Sequence, residues 1–108
     1  MAFFEHVLIL KQDLSSSDLE TELKNHKDTI SELNGNIAYS ESWGLRNLAY
    51  QINNNKKAFY EFMNIEIPGE NISTLNSKLN LNENIIRYLS IKVKKFDETP
   101  TPMLREKD

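Results

Sequence analysis

The chain contains no cysteine, which removes disulfides, zinc–thiolate sites and thiol catalysis together. Its three glycines are isolated from one another, so no glycine-rich loop exists to cradle a phosphate. Apolar runs are short, and none approaches the roughly 20 residues that a membrane helix needs. The opening MAFFEHVLIL has no basic lead and no small-residue cleavage site, and Glu5 and His6 interrupt its apolar stretch. It reads as a first strand rather than a signal peptide, and with the missing cysteines it leads us to expect a cytoplasmic protein. Imidazoles are nearly absent too. His6 falls in the first strand and His26 on the apolar stripe of a helix, where packed histidines are commoner than catalytic ones. No serine or lysine has a spacing that implies a triad, and the carboxylates of the first helix form a solvated face. The loop after the first strand, Lys11-Gln12-Asp13-Leu14-Ser15, has an acid where an acyl-phosphate hydrolase of similar layout would hold phosphate. We expect no enzyme, no metal, no cofactor and no small-molecule substrate.

What remains is a soluble composition, 39% hydrophobic and 27% charged, on 108 residues, enough for one core. The net charge of −3 argues at first against a nucleic-acid partner. Its distribution along the chain points the other way. Residues 1–42 carry three lysines against eight acids; residues 43–96 carry eight bases against four acids, a local +4; the last twelve carry two bases and four acids. Phosphate binding follows the local potential, not the sum over the chain. The thirteen asparagines read as genome bias rather than chemistry.

Along the chain, residues 3–10 are apolar enough for a central strand buried on both faces. Ser17 and Glu20 have capping-box spacing. Leu19, Leu23, His26, Ile30 and Leu33 then mark one stripe of a helix of about 18 residues, which Gly35 can close in the left-handed conformation. Residues 37–52 are extended, broken at Trp43-Gly44, where a glycine within a strand pattern suggests a bulge. Asn53 to Lys57 is a turn. From Ala58 to Ile67 one parity holds Phe59, Met63, Ile65 and Ile67, the other Tyr60, Phe62, Asn64 and Glu66. Pro68-Gly69 ends that strand; Ile72, Leu75 and Leu79 mark a short second helix; Ile85 to Val93 is a fourth strand. Apolar residues occur in both of its parities, so its facing stays open. The order βαββαβ predicts an α+β, ferredoxin-like sandwich over residues 1–95: a four-stranded antiparallel sheet, strands one and three central, both helices on one face. Residues 96–108, with two prolines and no period, read as an extended tail that only a partner would order.

Two helices on one face leave the other uncovered, and strand three shows Tyr60 and Phe62 there. Such an open face meets RNA or a protein partner, unless the two rings merely pack on each other and on their strand neighbours. Arg46 and Lys56 on the long hairpin, with Arg87, Lys92 and Lys94 on strand four, are basic candidates for phosphate. Edge-strand lysines also discourage sheet-to-sheet aggregation, which explains Lys92 and Lys94 equally well. Arg46, with its planar fork, fits that explanation poorly.

The strings WGLRNLAYQI, KKAFYEFMNIEIP and LNENIIRYLSIKVKK resemble the bacterial small-subunit ribosomal protein six family, and the likeness covers essentially the whole chain, down to the closing PMLREKD. The resemblance implies the βαββαβ fold and a non-catalytic role: binding the central domain of small-subunit ribosomal RNA, in the platform, together with small-subunit ribosomal protein eighteen. Position by position it implies RNA contacts at Arg46, Arg87 and Lys92, adds Phe4, which matches the family's aromatic in the first strand, as a further RNA-binding residue beside Lys56 and Lys94, and leaves Tyr60, Phe62 and Phe96 for the partner protein. Two features depart from the pattern. Ala2 and Phe3 stand where basic residues are common, and His6 stands where an aliphatic residue is usual. The rival reading is a regulatory or ligand-binding domain of the same fold that dimerises through its open sheet face.

Overall fold

A computed structural model of the chain describes residues 1–52 and 54–95. The tail from Phe96 onward, including Phe96 as a partner contact, lies outside the described residues. The order is β1 (Ala2–Lys11), α1 (Ser16–Glu32), β2 (Asn36–Ile52), β3 (Asn55–Ile67), α2 (Ile72–Asn80) and β4 (Ile85–Val93), with a 3₁₀ turn at Gly69–Asn71 leading into α2. The sheet is antiparallel in the order β2-β3-β1-β4, so the expected ferredoxin-like architecture is present with β1 and β3 in the centre. Among the described residues no helix is long and apolar enough to cross a membrane.

Strand alternation divides the residues between two faces. Phe4, Leu8 and Leu10 of β1 share the core with Met63, Ile65 and Ile67 of β3, under Ile30 of α1 and Leu75 and Leu79 of α2. The intervening residues Phe3, Glu5, Val7 and Ile9 are only half-buried. β1 is therefore not buried on both faces as its composition suggested, because both helices lie on one side.

The ends of α1 differ in detail from the sequence expectation. Ser15, not Ser17, is the N-cap; its Oγ accepts from the Asp18 amide at 3.1 Å, and Asp18 adds a negative charge to the first turn. Asn34, not Gly35, takes the left-handed conformation after the helix, with φ 65°. Gly35 serves a different constraint. A Cβ there would lie 2.7 Å from the Glu66 carbonyl oxygen and 3.0 Å from side-chain carbons of Ile30 and Ile67. The bulge expected at Trp43-Gly44 is present, with Gly44 at φ 76° and a register shift between Ser42 and Gly44. Asn54, φ 66°, turns the β2–β3 hairpin. Side chains tie the loops down: the Glu22 carboxylate accepts from Asn82 and Asn84 at 2.7 and 2.8 Å, and Asn71 donates to the Leu33 carbonyl at 2.8 Å.

The two histidines pack, as expected, but against each other. His6 Nε2 lies 3.0 Å from His26 Nε2, and His6 Nδ1 lies 2.7 Å from Ser90 Oγ, a chain joining α1, β1 and β4. The rings are near-parallel, with centroids 5.0 Å apart and planes 14° apart. Burial, and secondarily the neighbouring His26, lowers His6 from 6.5 to about 3; burial lowers His26 to about 4, opposed by Glu22. Both rings are therefore neutral in the fold, and the unfolded chain takes up protons first as the pH drops. Their stabilising contribution is complete above pH 6.5 and is lost as pH falls through 6.5 towards 4.

Urea unfolding at pH 7.5 and pH 5.0 is expected to show stability reduced by up to about 4 kcal/mol at the lower pH, from about 1.4 kcal/mol per pH unit per ring. A double His6→Val, His26→Leu variant should flatten that dependence; an unchanged slope would assign it to carboxylates instead. Gly35→Ala is expected to cost roughly 1–3 kcal/mol in the same assay, because a backbone carbonyl cannot step aside.

Candidate nucleic-acid interface

The face opposite the helices is assembled from paired rows. Arg46 of β2, Ala58 of β3 and Lys11 of β1 form one row; Gly44, Tyr60, Ile9 and Arg87 form the next. Lys56 shares the parity of Ala58 and stands one alternation nearer the hairpin turn. Two arginines and two lysines from four strands thus converge on one end of one face. Towards the other end come Glu41, Phe62, Val7 and Leu89, then Tyr39, Asn64, Glu5 and Ile91, and last Asn36, Glu66, Phe3 and Val93. Lys11 and Glu5 are six residues apart, so the basic and acidic ends are separated by about 20 Å. The face has a cationic end, an apolar middle and an end carrying Glu5 and Glu66.

Trp43 dominates the middle. Its indole lies near-parallel to Tyr60, centroids 6.1 Å apart and planes 19° apart, and to Phe62, at 5.8 Å and 8°. The alternative that Tyr60 and Phe62 pack on strand neighbours is present in part, since Trp43 of the adjoining strand stacks on both and Phe62 is only 9% exposed. Two hydrogen bonds hold the indole in place. Its Nε1 donates to Glu41 Oε1 at 3.0 Å, and the other oxygen of that buried carboxylate accepts from the Tyr39 hydroxyl at 2.6 Å. The bond to the carboxylate is also the main reason the Tyr39 hydroxyl is harder to ionise than usual. Arg46 Nε donates to the Trp43 carbonyl at 2.8 Å, which fixes the guanidinium against the backbone of the bulge through one of its five N–H donors. Leu89 and Ile91, 53% and 49% exposed, complete the apolar middle on the β4 side.

The six basic and aromatic residues expected to contact RNA do not all come together. Arg46, Lys56 and Arg87 share the open face. Lys92 and Lys94 do not: Lys92 pairs with Phe4 and follows the parity of Tyr88, placing it on the helical side at the far end of β4, and Lys94 lies just past the strand with the same parity. Both are exposed, as edge lysines are. Phe4 has to be withdrawn as an RNA contact, because it is 6% exposed and packed in the core. Its neighbour Phe3 faces the open side. Sequence reasoning passed over Trp43 and Lys11. For Lys11 the signal was there, since it shares a parity with Val7 and Ile9. For Trp43 it was hidden, because the bulge breaks the alternation that assigns faces.

Near the open face, the hairpin is anchored by a relay that keeps its turn beside β1. The Asn55 side-chain oxygen accepts from the Gln12 amide at 3.0 Å, and Gln12 Oε1 accepts from the Lys57 amide at 3.2 Å. On the covered side, Glu61 is buried with Ser42 donating to it at 2.6 Å; burial raises its carboxyl above the usual range.

Comparison with known proteins gives the arrangement its context. The family model for ribosomal protein S6 matches residues 3–92. The small ribosomal subunit protein bS6 of Rickettsia rickettsii is 42% identical over 97% of this chain and 87% of its own length. The bS6 proteins of Bartonella bacilliformis and Mesorhizobium japonicum, 37% and 33% identical, align with the whole chain over 79% and 65% of theirs. A crystal structure of 30S ribosomal protein S6 from Thermotoga maritima shares the fold with a TM-score of 0.81 at 22% identity, covering 85% of this chain and 87% of that one. The chain belongs to the ribosomal protein S6 family, structural proteins of the bacterial small ribosomal subunit that reside in the cytoplasm as part of the ribosome.

Proposed function

We propose that the chain binds the central domain of small-subunit ribosomal RNA through the basic end of its open sheet face, jointly with small-subunit ribosomal protein eighteen, and catalyses no reaction. The observation that carries this reading is the convergence of Lys11, Arg46, Lys56 and Arg87 on one end of that face in a chain whose net charge is negative. A scattered set of bases would have served solubility alone; four strands contributing to one end concentrate potential where phosphates can use it. Leu89 and Ile91, the most exposed apolar residues of the open face, together with Tyr60 and the rim of Phe62, form the surface for the partner protein. Lys92 and Lys94, on the other side of β4, would reach only RNA that wraps the edge of the sheet.

Mixing the full chain with the central-domain RNA, with and without protein eighteen, across a salt series tests the reading. Affinity should improve when protein eighteen is present and fall with salt, each phosphate contact adding about 0.7–0.9 to the log–log slope. No association in either mixture at low salt would overturn it. Arg46→Ala should weaken assembly by roughly 1–3 kcal/mol with folding retained. A loss of folding with RNA affinity intact per folded molecule would instead make Arg46 a structural residue whose task is to hold the Trp43 carbonyl.

A further inference from the structure

We propose that Trp43 is a stacking platform for an unpaired RNA base, with Arg46 beside it to meet the phosphate of the same strand. The inference rests on the RNA-binding reading above and names the kind of RNA element that this part of the face takes.

The bulge in β2 is what brings the ring to this face. Ser42 pairs with Glu61 on the helical side and Gly44 with Tyr60 on the open side, so Trp43 is the extra residue between them, and its ring lies on the open face. Its conformation is already settled before any ligand arrives. The indole lies along Tyr60 and Phe62, its N–H is held by Glu41, and its carbonyl is held by Arg46. A ring fixed in this way gives up little rotamer freedom on binding. It nevertheless remains partly exposed, whereas Phe62 next to it is buried. An immobilised indole next to the cationic end of a sheet face is a combination that single-stranded nucleic acid uses, since any base offers a π-face and the backbone supplies the anion.

Charge selects between RNA and protein as the occupant. Arg46 is bonded to the Trp43 carbonyl, Arg87 lies in the row of Tyr60, and Lys11 lies in the next row with Ala58. The acid beside it, Glu41, is turned inward and buried with two donors on its oxygens. Glu5 and Glu66 lie at the other end of the face. With Glu41 buried and hydrogen-bonded, the accessible charges from the ring towards the Arg46 end of the face are cationic, and a phosphate-bearing strand running that way fits better than an apolar protein surface, for which Leu89 and Ile91 are better placed.

The chain has one tryptophan, so its emission reports on this ring directly. Titrating the full chain at low salt with a single-stranded oligoadenylate of about ten nucleotides should quench that emission, and a hairpin duplex with the same number of phosphates should quench it far less. Trp43→Leu should weaken oligoadenylate binding roughly five- to a hundredfold, with Trp43→Phe restoring most of the affinity. Equal quenching by the duplex, or none by either, would overturn the proposal. So would full quenching by a tryptophan-free protein eighteen with no further change on adding RNA, which would give the ring to the protein. Salt-dependent binding of the central-domain RNA and protein eighteen with Trp43 emission unchanged throughout would overturn the platform while leaving the RNA-binding reading in place; absence of all RNA binding would overturn both.

Discussion

The alternation of β1 is the constraint on which the rest of the structure depends. The strand is hydrogen-bonded to β3 on one side and β4 on the other along nearly its whole length, so its parity is imposed on the sheet. A slip of one residue would turn Leu8, Leu10 and the His6 ring out to solvent and drive Glu5 and Lys11 under the helices. No such slip can be absorbed, because the far sides of both pairings repeat the same pattern: Met63, Ile65 and Ile67 beneath the helices on β3, and Tyr88 and Ser90 on β4. Everything attributed to the open face follows from what β1 leaves on that side.

The His6–His26–Ser90 chain adds a polar constraint inside the same core. Two imidazoles occupy positions that hydrophobic residues would fill more cheaply, and each needs a partner once it is buried. They satisfy this need mutually, and the Ser90 hydroxyl completes the chain. Because one nitrogen must donate while its neighbour accepts, the link cannot survive protonation of both rings, and burial makes even the first charge costly. That requirement is why the link from α1 through β1 to β4 is specific, and also why it weakens as the solution turns acidic.

Much of this was legible in the sequence, and the places where it was not have physical reasons. The order of elements could be read because Leu19, Leu23, Ile30 and Leu33 repeat at helical steps and Phe59 to Ile67 alternates cleanly. The facing of β4 could not, since Leu89 and Ile91 are as apolar as core residues and yet lie exposed; only pairing with Val7 and Glu5 assigns them to the open side. Ser17 and Gly35 were plausible cap and terminator on residue type alone. Ser15 and Asn34 took those parts because the helix already begins at Ser16, and because Gly35 is required where backbones crowd. Of the candidate RNA residues, Arg46, Lys56 and Arg87 converge in space, while Phe4 fills the core, because an aromatic has the same chemistry whether it stacks on a base or packs inside. Trp43 escaped because a bulge suspends the rule by which faces are assigned.

The charge of the whole chain is a poor guide to the face that matters. Most of its acids lie on α1, in the loops and at the Glu5–Glu66 end of the open face, and the one acid beside the aromatic middle, Glu41, is buried with its oxygens occupied. The bases of the hairpin and of β4 are not neutralised where they converge, because the register places alanine, isoleucine and tyrosine between them rather than carboxylates: Ala58 separates Arg46 from Lys11, and Tyr60 and Ile9 separate Gly44 from Arg87. Ala58 thus holds Arg46 and Lys11 two strand spacings apart, roughly 10 Å at the backbone, where mutual repulsion in solvent is small. The spacers themselves expose little apolar surface, since Ala58 is fully buried and Tyr60 and Ile9 partly so; the exposed apolar area of the face lies at Leu89 and Ile91. A cationic end and an apolar middle thus share one face through a single strand register.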